Sequence, residues 1–152
     1  MFNNKNIFIV AEIGNNHEGN YSLAKKLIKQ AAKAGANAVK FQTFIPESYV
    51  LSSDKKRIKQ LKKFQLSIKQ FKNLSVYANK LKLIFFSTPF DIESAKKLNE
   101  FQSIFKISSG DNNFFKLIET VASFNKPLII STGFADLKLV QKIYSKVMSI
   151  WK

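Results

Sequence analysis

The chain has 152 residues, of which 45% are hydrophobic and 15 are phenylalanine, so it has the size and apolar content of one folded domain. It contains no cysteine, which excludes disulfides and thiolate metal sites and is typical of a reducing compartment. No apolar stretch is long enough for a membrane span or a signal peptide, so the sequence predicts a cytoplasmic protein without a membrane partner.

The net charge of +15 is concentrated in one segment. Residues 54–82 contain ten lysines and arginines against one acidic residue, and Arg57 is the single arginine of the chain. A basic, non-catalytic protein that binds nucleic acid or an anionic membrane is therefore one alternative hypothesis. We expect no nucleic-acid partner, because the segment lacks interleaved aromatic residues for base stacking and its lysines suit solvated helix faces.

Short apolar runs alternate with amphipathic stretches along the chain. In chain order, the runs that predict β-strands are residues 7–11, 37–42, 83–87, 105–108 and 127–131. The stretches that predict helices are residues 21–35, two basic helices within 54–82, one helix after Asp91, residues 114–124 and residues 136–150. Residues 46–53 have the composition of a loop. This alternation predicts right-handed β/α units around a parallel sheet.

Polar residues mark several predicted helix ends. Gly35 suits the exit of the first helix, and Asp91 can cap the helix that follows the third strand. Ser67 and Gln70 have the spacing of a capping box at the start of the second basic helix.

Polar residues also lie where each predicted strand ends. They are Glu12; Lys40 and Gln42; Ser87 and Thr88; Lys106, Ser108 and Ser109; and Ser131 and Thr132. In parallel α/β folds the ligands meet the carboxyl ends of the strands, so we expect these groups to share one rim. Any single serine or threonine could instead end a strand and begin a turn, and Glu12 could form a structural ion pair.

Two lysines are harder to explain by structure alone. Lys40 and Lys106 each lie inside an apolar strand, where an unpaired ammonium is costly to bury. Two inward lysines with hydroxyls beside them predict a site for a phosphate or a carboxylate. A Schiff-base aldolase that uses either lysine as its nucleophile is the alternative enzymatic hypothesis.

His17 is the single histidine and lies in the segment AEIGNNHEGN, residues 11–20. We interpret it as a hydrogen-bonding residue beside a helix start. No second histidine is present to complete a typical transition-metal set, and the sequence therefore predicts no metal ligand in this chain.

Five motifs, AEIGNNHEGN, NAVKFQTF, STPFD, KISSGD and KPLIISTG, resemble in their order and spacing the sialic acid synthase family. That family includes N-acetylneuraminate synthase and its legionaminate and pseudaminate relatives. The resemblance implies about five β/α units of a TIM (β/α)8 barrel. It also implies carbohydrate biosynthesis by condensation of phosphoenolpyruvate with an N-acetylated amino sugar such as N-acetylmannosamine. A divalent metal, Mn²⁺ or Mg²⁺, and a homodimer are implied as well.

The resemblance further implies roles for eight residues. Glu12 corresponds to the acidic residue near the reacting sugar carbonyl, and Gln42 and Asp111 correspond to sugar contacts. The implied phosphoenolpyruvate contacts are Lys40, Thr88, Lys106, Ser109 and Ser131. Asp111 departs from the family pattern, because many members have glutamate at this position, and the departure shortens the carboxylate side chain.

Length is the largest departure from the family. A complete (β/α)8 barrel takes about 250 residues, and family members add a small C-terminal antifreeze-like domain. We therefore predict that residues 1–152 form one domain, the N-terminal part of the barrel, without the later strands, their metal-binding histidines or the antifreeze-like domain. As a truncated or split form, the chain is expected to be inactive unless a second polypeptide supplies the rest of the barrel.

Overall fold

A computed structural model describes residues 7–152 as alternating strands and helices, so residues 1–6 of the predicted domain lie outside the described part. The strands are β1 (Val10–Gly14), β2 (Ala38–Thr43), β3 (Ile84–Pro89), β4 (Phe105–Ile107) and β5 (Leu128–Ile130). The α-helices are α1 (Tyr21–Lys33), α2 (Pro46–Tyr49), α3 (Lys55–Phe64), α4 (Ile68–Lys80), α5 (Ile92–Leu98), α6 (Phe115–Ala122) and α7 (Leu137–Ile150). The predicted order of β/α units is confirmed.

Among the described residues, the three strand pairs are all parallel and form two sheets, β1-β2-β3 and β4-β5. Between β3 and β4, the buried side chain of Gln102 takes the place of ladder hydrogen bonds. Its Oε1 accepts the backbone N–H of Ser87 at 2.8 Å, and its Nε2 donates to the carbonyl oxygen of Ser87 at 3.2 Å. One amide side chain thus joins the two sheets.

Two predictions about local structure were wrong. The first strand begins at Val10 rather than at residue 7, because its pairing with β2 starts opposite Ala38. Just before that point, Ile9 N–H donates to the side-chain Oδ1 of Asn37 at 2.7 Å, which takes the place of a strand-to-strand bond. Residues 46–53 contain the short helix α2 where a loop was predicted. Pro46 occupies its first turn, where the fixed φ of proline suits a helix start.

The predicted caps and solvated faces are confirmed. Ser67 Oγ accepts the N–H of Gln70 and the Gln70 side chain accepts the N–H of Ser67, which completes the capping box of α4. Asp91 Oδ1 accepts the N–H of Ser94 at the start of α5. In α3, Ile58 and Leu61 are buried while the lysines of α3 and α4 are exposed. Within residues 7–152, no helix has both the length and the apolar character needed to cross a bilayer.

Successive strand residues face two different sides, as the period of a β-strand requires. Val39, Phe41 and Phe85 pack on one side against α1 and α4. On the other side, Ala38, Phe86 and Ile104 form a buried apolar layer. Two residues further along each of these segments, this second side changes to Lys40, Thr88 and Lys106. The apolar layer therefore supports a polar layer at the carboxyl ends of the strands.

Candidate active site

Lys40 joins the first three strands at their carboxyl ends. It lies on β2 and is 5% exposed. Its Nζ lies 2.7 Å from Glu12 Oε2 on β1 and 3.2 Å from Thr88 Oγ1 on β3. The parallel register places Glu12 opposite Lys40, which brings the ion pair together. The inward ammonium is thus compensated by a carboxylate and a hydroxyl, as burial of a charge requires.

Lys106 is a second cation on the same face, at the half-buried centre of β4. Burial lowers the pKa of Lys106 and the ammonium of Lys40 lowers it further, whereas the carboxylates of Glu12 and Asp111 act in the opposite direction. Its Nζ donates to the carbonyl oxygen of Ile107 at 3.4 Å, which is long for a hydrogen bond. Lys40 and Lys106 lie on the same face, so an anion bound beside them would stabilise both ammonium groups.

Gln42 lies on β2 two residues beyond Lys40. Its Oε1 accepts a hydrogen bond from Asn15 Nδ2 at 2.7 Å. Gln42 and Glu12 both lie beside Gly14, which has no side chain to separate them. The predicted sugar contact therefore lies next to the predicted catalytic carboxylate.

The remaining predicted residues lie on the loops that follow β4 and β5. A short 3-10 turn, Ser109–Asp111, follows β4, and burial raises the pKa of the Asp111 carboxyl while Lys106 lowers it. A side chain added at Gly133 would meet Ser109 Oγ at 3.8 Å, so the two loops adjoin. Ser131 N–H donates to the carbonyl oxygen of Ile107 at 3.1 Å. Direct contacts thus join Glu12, Lys40 and Thr88. Gln42 lies beside Glu12, and Ser109, Asp111 and Ser131 lie on the loops at the carboxyl ends of β4 and β5.

His17 is fully buried behind the rim. Its Nδ1 accepts the N–H of Gly19 at 3.1 Å, and its ring centroid lies 5.9 Å from that of Phe41. Burial lowers the pKa of His17, which keeps the ring neutral so that Nδ1 can accept. Its interpretation as a hydrogen-bonding residue is confirmed.

The residues described do not provide a recognisable metal site. Within residues 7–152, no group of three or more His, Cys, Asp and Glu side chains could hold a metal ion. The described residues therefore do not fit the divalent-metal site that the resemblance implies, and we assign no chemical step to a metal.

Sequence reasoning missed two features of this rim. Asn15, which orients Gln42, was included only in a loop motif, although its position three residues after Glu12 is a usable signal. Tyr49 was assigned to a loop. Its ring lies 4.8 Å from Phe90, and burial and the charge of Asp111 both raise its pKa. Tyr49 therefore adds an aromatic side chain near Asp111, the carboxylate that is predicted to contact the sugar.

Several known proteins are similar to this chain in both sequence and fold. A sequence model of the NeuB family matches residues 27–149. The N,N'-diacetyllegionaminic acid synthase of Campylobacter jejuni is 40% identical, over 91% of this chain and 46% of its own length. An N-acetylneuraminic acid (sialic acid) synthetase from Leptospira borgpetersenii, solved in complex with citrate, superposes with a TM-score of 0.92 at 33% identity, over 97% of this chain and 52% of that one.

A more distant likeness concerns the fold alone. The DAHP synthase of Thermotoga maritima superposes with a TM-score of 0.71 at 15% identity, over 94% of this chain and 38% of that one. The α/β fold is thus of the TIM-barrel type. The chain spans about half the length of the synthases it matches. From the family match and these relatives, the chain belongs to the NeuB family, which includes the sialic, legionaminic and pseudaminic acid synthases.

Proposed function

We propose that this chain carries the phosphoenolpyruvate-binding part of a nonulosonic acid synthase. The enzyme would condense phosphoenolpyruvate with an N-acetylated amino sugar such as N-acetylmannosamine. Membership of the NeuB family supports the reaction class. The observation that carries the proposal is the pair of lysines on one face, Lys40 and Lys106, which lie close enough for the ammonium of Lys40 to lower the pKa of Lys106. The hydroxyl of Thr88 lies beside Lys40 on the same rim.

The chemistry of phosphoenolpyruvate suits this arrangement. The molecule carries a phosphate and a carboxylate, and two ammonium groups can each pair with one of them. Thr88 Oγ1 accepts from Lys40 and can donate its own proton to an anionic oxygen. Ser109 and Ser131 lie on the adjoining loops and would add two further hydroxyl donors.

Glu12 would change partners when the anion binds. It neutralises Lys40 across 2.7 Å in the structure, although its own side chain is largely exposed. A phosphate on Lys40 would compete for this ammonium and turn the Glu12 carboxylate toward the sugar. Glu12 would then accept a hydrogen bond from a sugar hydroxyl beside the reacting carbonyl. The CH2 carbon of phosphoenolpyruvate would bond to the sugar carbonyl carbon, whose oxygen takes up a proton. Water would add to the phosphate-bearing carbon, and phosphate would leave that carbon to give the keto acid. Gln42 and Asp111 would hold the sugar on either side.

We also propose that further β/α units complete the barrel next to β5 and bring the divalent metal. Within residues 7–152, β5 pairs with β4 on one side and has no partner on the other. Leu128 and Ile130 of β5 line an apolar groove together with Ile143 and Val147 of α7 and with Trp151, which follows α7. A further strand and helix would cover both the strand edge and the groove. Inactivity of the 152 residues alone, and the homodimer, stay predictions.

Calorimetric titration of the chain with phosphoenolpyruvate tests the proposed site. We expect Lys40→Ala and Lys106→Ala each to lower the affinity by about tenfold or more, because a lost charge-assisted hydrogen bond costs about 1.5–3 kcal/mol. Lys63→Ala is the matched control, since Lys63 is an exposed lysine of α3 outside the rim. It should leave the affinity unchanged.

Two results would contradict this site. Equal losses in all three variants would mean that the anion is attracted by the net charge of +15 rather than bound on the rim. A second candidate function is the Schiff-base reaction. It is favoured by the lowered pKa of Lys106, which increases the fraction of its amine that is neutral and nucleophilic. Borohydride reduction in the presence of pyruvate would then attach a stable adduct to Lys106. The phosphoenolpyruvate proposal expects no adduct in the mass spectrum.

A further inference from the structure

The loop between β1 and α1 holds the amide of Gln42 in one orientation. Asn15 Nδ2 donates to Gln42 Oε1 at 2.7 Å. A primary amide offers an acceptor oxygen and a donor nitrogen. Since Asn15 binds the oxygen, the nitrogen with its two N–H groups is the end of the Gln42 amide that is left available to a ligand.

The nitrogen of this amide and the carboxylate of Glu12 meet over Gly14. A Cβ built on Gly14 would lie 3.4 Å from Glu12 Oε1 and 4.0 Å from Gln42 Nε2. Gly14 has a φ of +55°, in the left-handed region that favours glycine, and its missing side chain leaves this space open. The other oxygen of Glu12, Oε2, is paired with Lys40. The open space is thus bordered by one acceptor and one donor.

Glu12 favours the same orientation of the amide as Asn15 does. An ionised carboxylate is an acceptor only. If the Gln42 amide were turned round, its oxygen would face the carboxylate oxygen and the two would repel. With Nε2 on that side, the partial positive charge of the N–H groups faces the carboxylate.

Buried contacts keep Asn15 in place. His17 is fully buried, with its Nδ1 bonded to the N–H of Gly19 and its ring against Phe41, the strand neighbour of Gln42. Gly19 lies so close to α3 that an added Cβ would overlap the carbonyl oxygen of Lys63. The loop is therefore held from both sides, by β2 and by α3.

We propose that Asn15 is a positioning residue that makes Gln42 a hydrogen-bond donor. Glu12 Oε1 and Gln42 Nε2 then form an acceptor and donor pair that suits a sugar hydroxyl, which both donates and accepts. An anionic group would be repelled from this place by Glu12. The identity of the ligand as an amino sugar rests on the proposed function, whereas the orientation of the amide does not.

Side-chain amide NMR of the ¹⁵N-labelled 152-residue chain tests the orientation without a substrate. We expect one Asn15 Hδ2 proton to be shifted downfield by its hydrogen bond. The shift should persist in Gln42→Glu, which keeps an acceptor, and disappear in Gln42→Leu, which has none. An Asn15 proton that is not shifted, or one that is unaffected by Gln42→Leu, would overturn the proposal.

Titration with N-acetylmannosamine at saturating phosphoenolpyruvate tests the consequence for binding. Asp at position 15 can only accept, so Asn15→Asp should turn the Gln42 amide and weaken sugar binding by about tenfold. Asn15→Ala leaves the amide able to rotate and should weaken it less. Phosphoenolpyruvate affinity, measured at high salt to screen the added charge, should change little in either variant.

The outcomes separate this inference from the proposed function. A purely structural role of Asn15 would lower the melting temperature and both affinities together, and it would not distinguish Asp from Ala. Equal sugar affinity in Asn15→Asp and the unchanged chain, or Gln42 signals that do not respond to the sugar, would overturn the donor and acceptor pair. Failure of phosphoenolpyruvate to bind would reject the proposed function, while the substrate-free NMR result would still decide the role of Asn15.

Discussion

Lys106 occupies a position where its surroundings favour loss of its proton. Burial and the ammonium of Lys40 both lower its pKa, and the two nearby carboxylates offset this only in part. A bound phosphate or carboxylate would shift the balance back, because a negative charge stabilises the ammonium form. Protonation of Lys106 and binding of an anion are therefore linked.

Phosphoenolpyruvate affinity should accordingly fall as the pH rises through the lowered pKa of Lys106, below the range in which an ordinary lysine titrates. Below that pKa the ammonium is already present, and above it the protein must take up a proton in order to bind. The second pKa of a phosphate monoester is about 6, so the ligand charge is constant above about pH 7.5. Calorimetry across the alkaline range measures this dependence.

Lys106→Arg is the matched variant for this experiment. A guanidinium stays charged throughout the range, so the decline should flatten. An equally steep decline in Lys106→Arg would show that another group titrates.

At the level of elements, the first β/α loop packs against the end of helix α3, which is distant in sequence. Gly19 has a φ of +76° and lies against the carbonyl oxygen of Lys63 at the end of α3. The basic segment, residues 54–82, stands out in the sequence only by its positive charge. In the structure it also has a structural role beside the site. Its charges face solvent, while the backbone at the end of α3 supports the loop.

Gly19→Ala should destabilise the chain more than Gly35→Ala. Gly35 has a similar φ of +82°, but an added Cβ would have no neighbour within 4 Å. Gly35→Ala therefore carries only the backbone strain, about 1–2 kcal/mol. Gly19→Ala should cost about 1–3 kcal/mol more, as expected for overpacking. Urea unfolding of both variants measures the difference. Equal losses in the free energy of unfolding would mean that the loop does not pack closely against α3.

At the level of the whole molecule, several exposed apolar side chains and an apolar groove lie around β5 and α7. Phe134, Leu137 and Tyr144 are 81%, 72% and 65% exposed. Within residues 7–152, β1 and β5 each pair with a neighbour on one side only. Unpaired strand edges and contiguous apolar surface both favour association. The net charge of +15 opposes it.

The 152-residue chain should therefore self-associate on its own, and more so at high salt, which screens the repulsion between copies. Light scattering after gel filtration measures the mass. Tyr144→Ser should reduce association because Tyr144 lines the apolar groove. Val76→Ser, which removes a 50% exposed apolar side chain from α4, is the control and should not. A monomer at all salt concentrations that melts cooperatively would contradict the prediction.

Local patterns in the sequence determined the order of the β/α units, the capping of α4 by Ser67 and of α5 by Asp91, and the two lysines placed on apolar strands. Strand period and caps depend on residues only a few positions apart, so a single sequence displays them. The family resemblance named the rim residues, whose roles stay proposals.

Only the tertiary structure decided which groups meet. Lys40 reaches Thr88 across 48 positions, Asn15 reaches Gln42 across 27, and Gln102 reaches Ser87 across 15. The start of β1 depended in the same way on Asn37, 28 positions from Ile9. Such contacts depend on strand register and loop path, which no local pattern encodes. The orientation of the Gln42 amide could not be predicted for this reason, because it depends on a loop held between Phe41 and the end of α3.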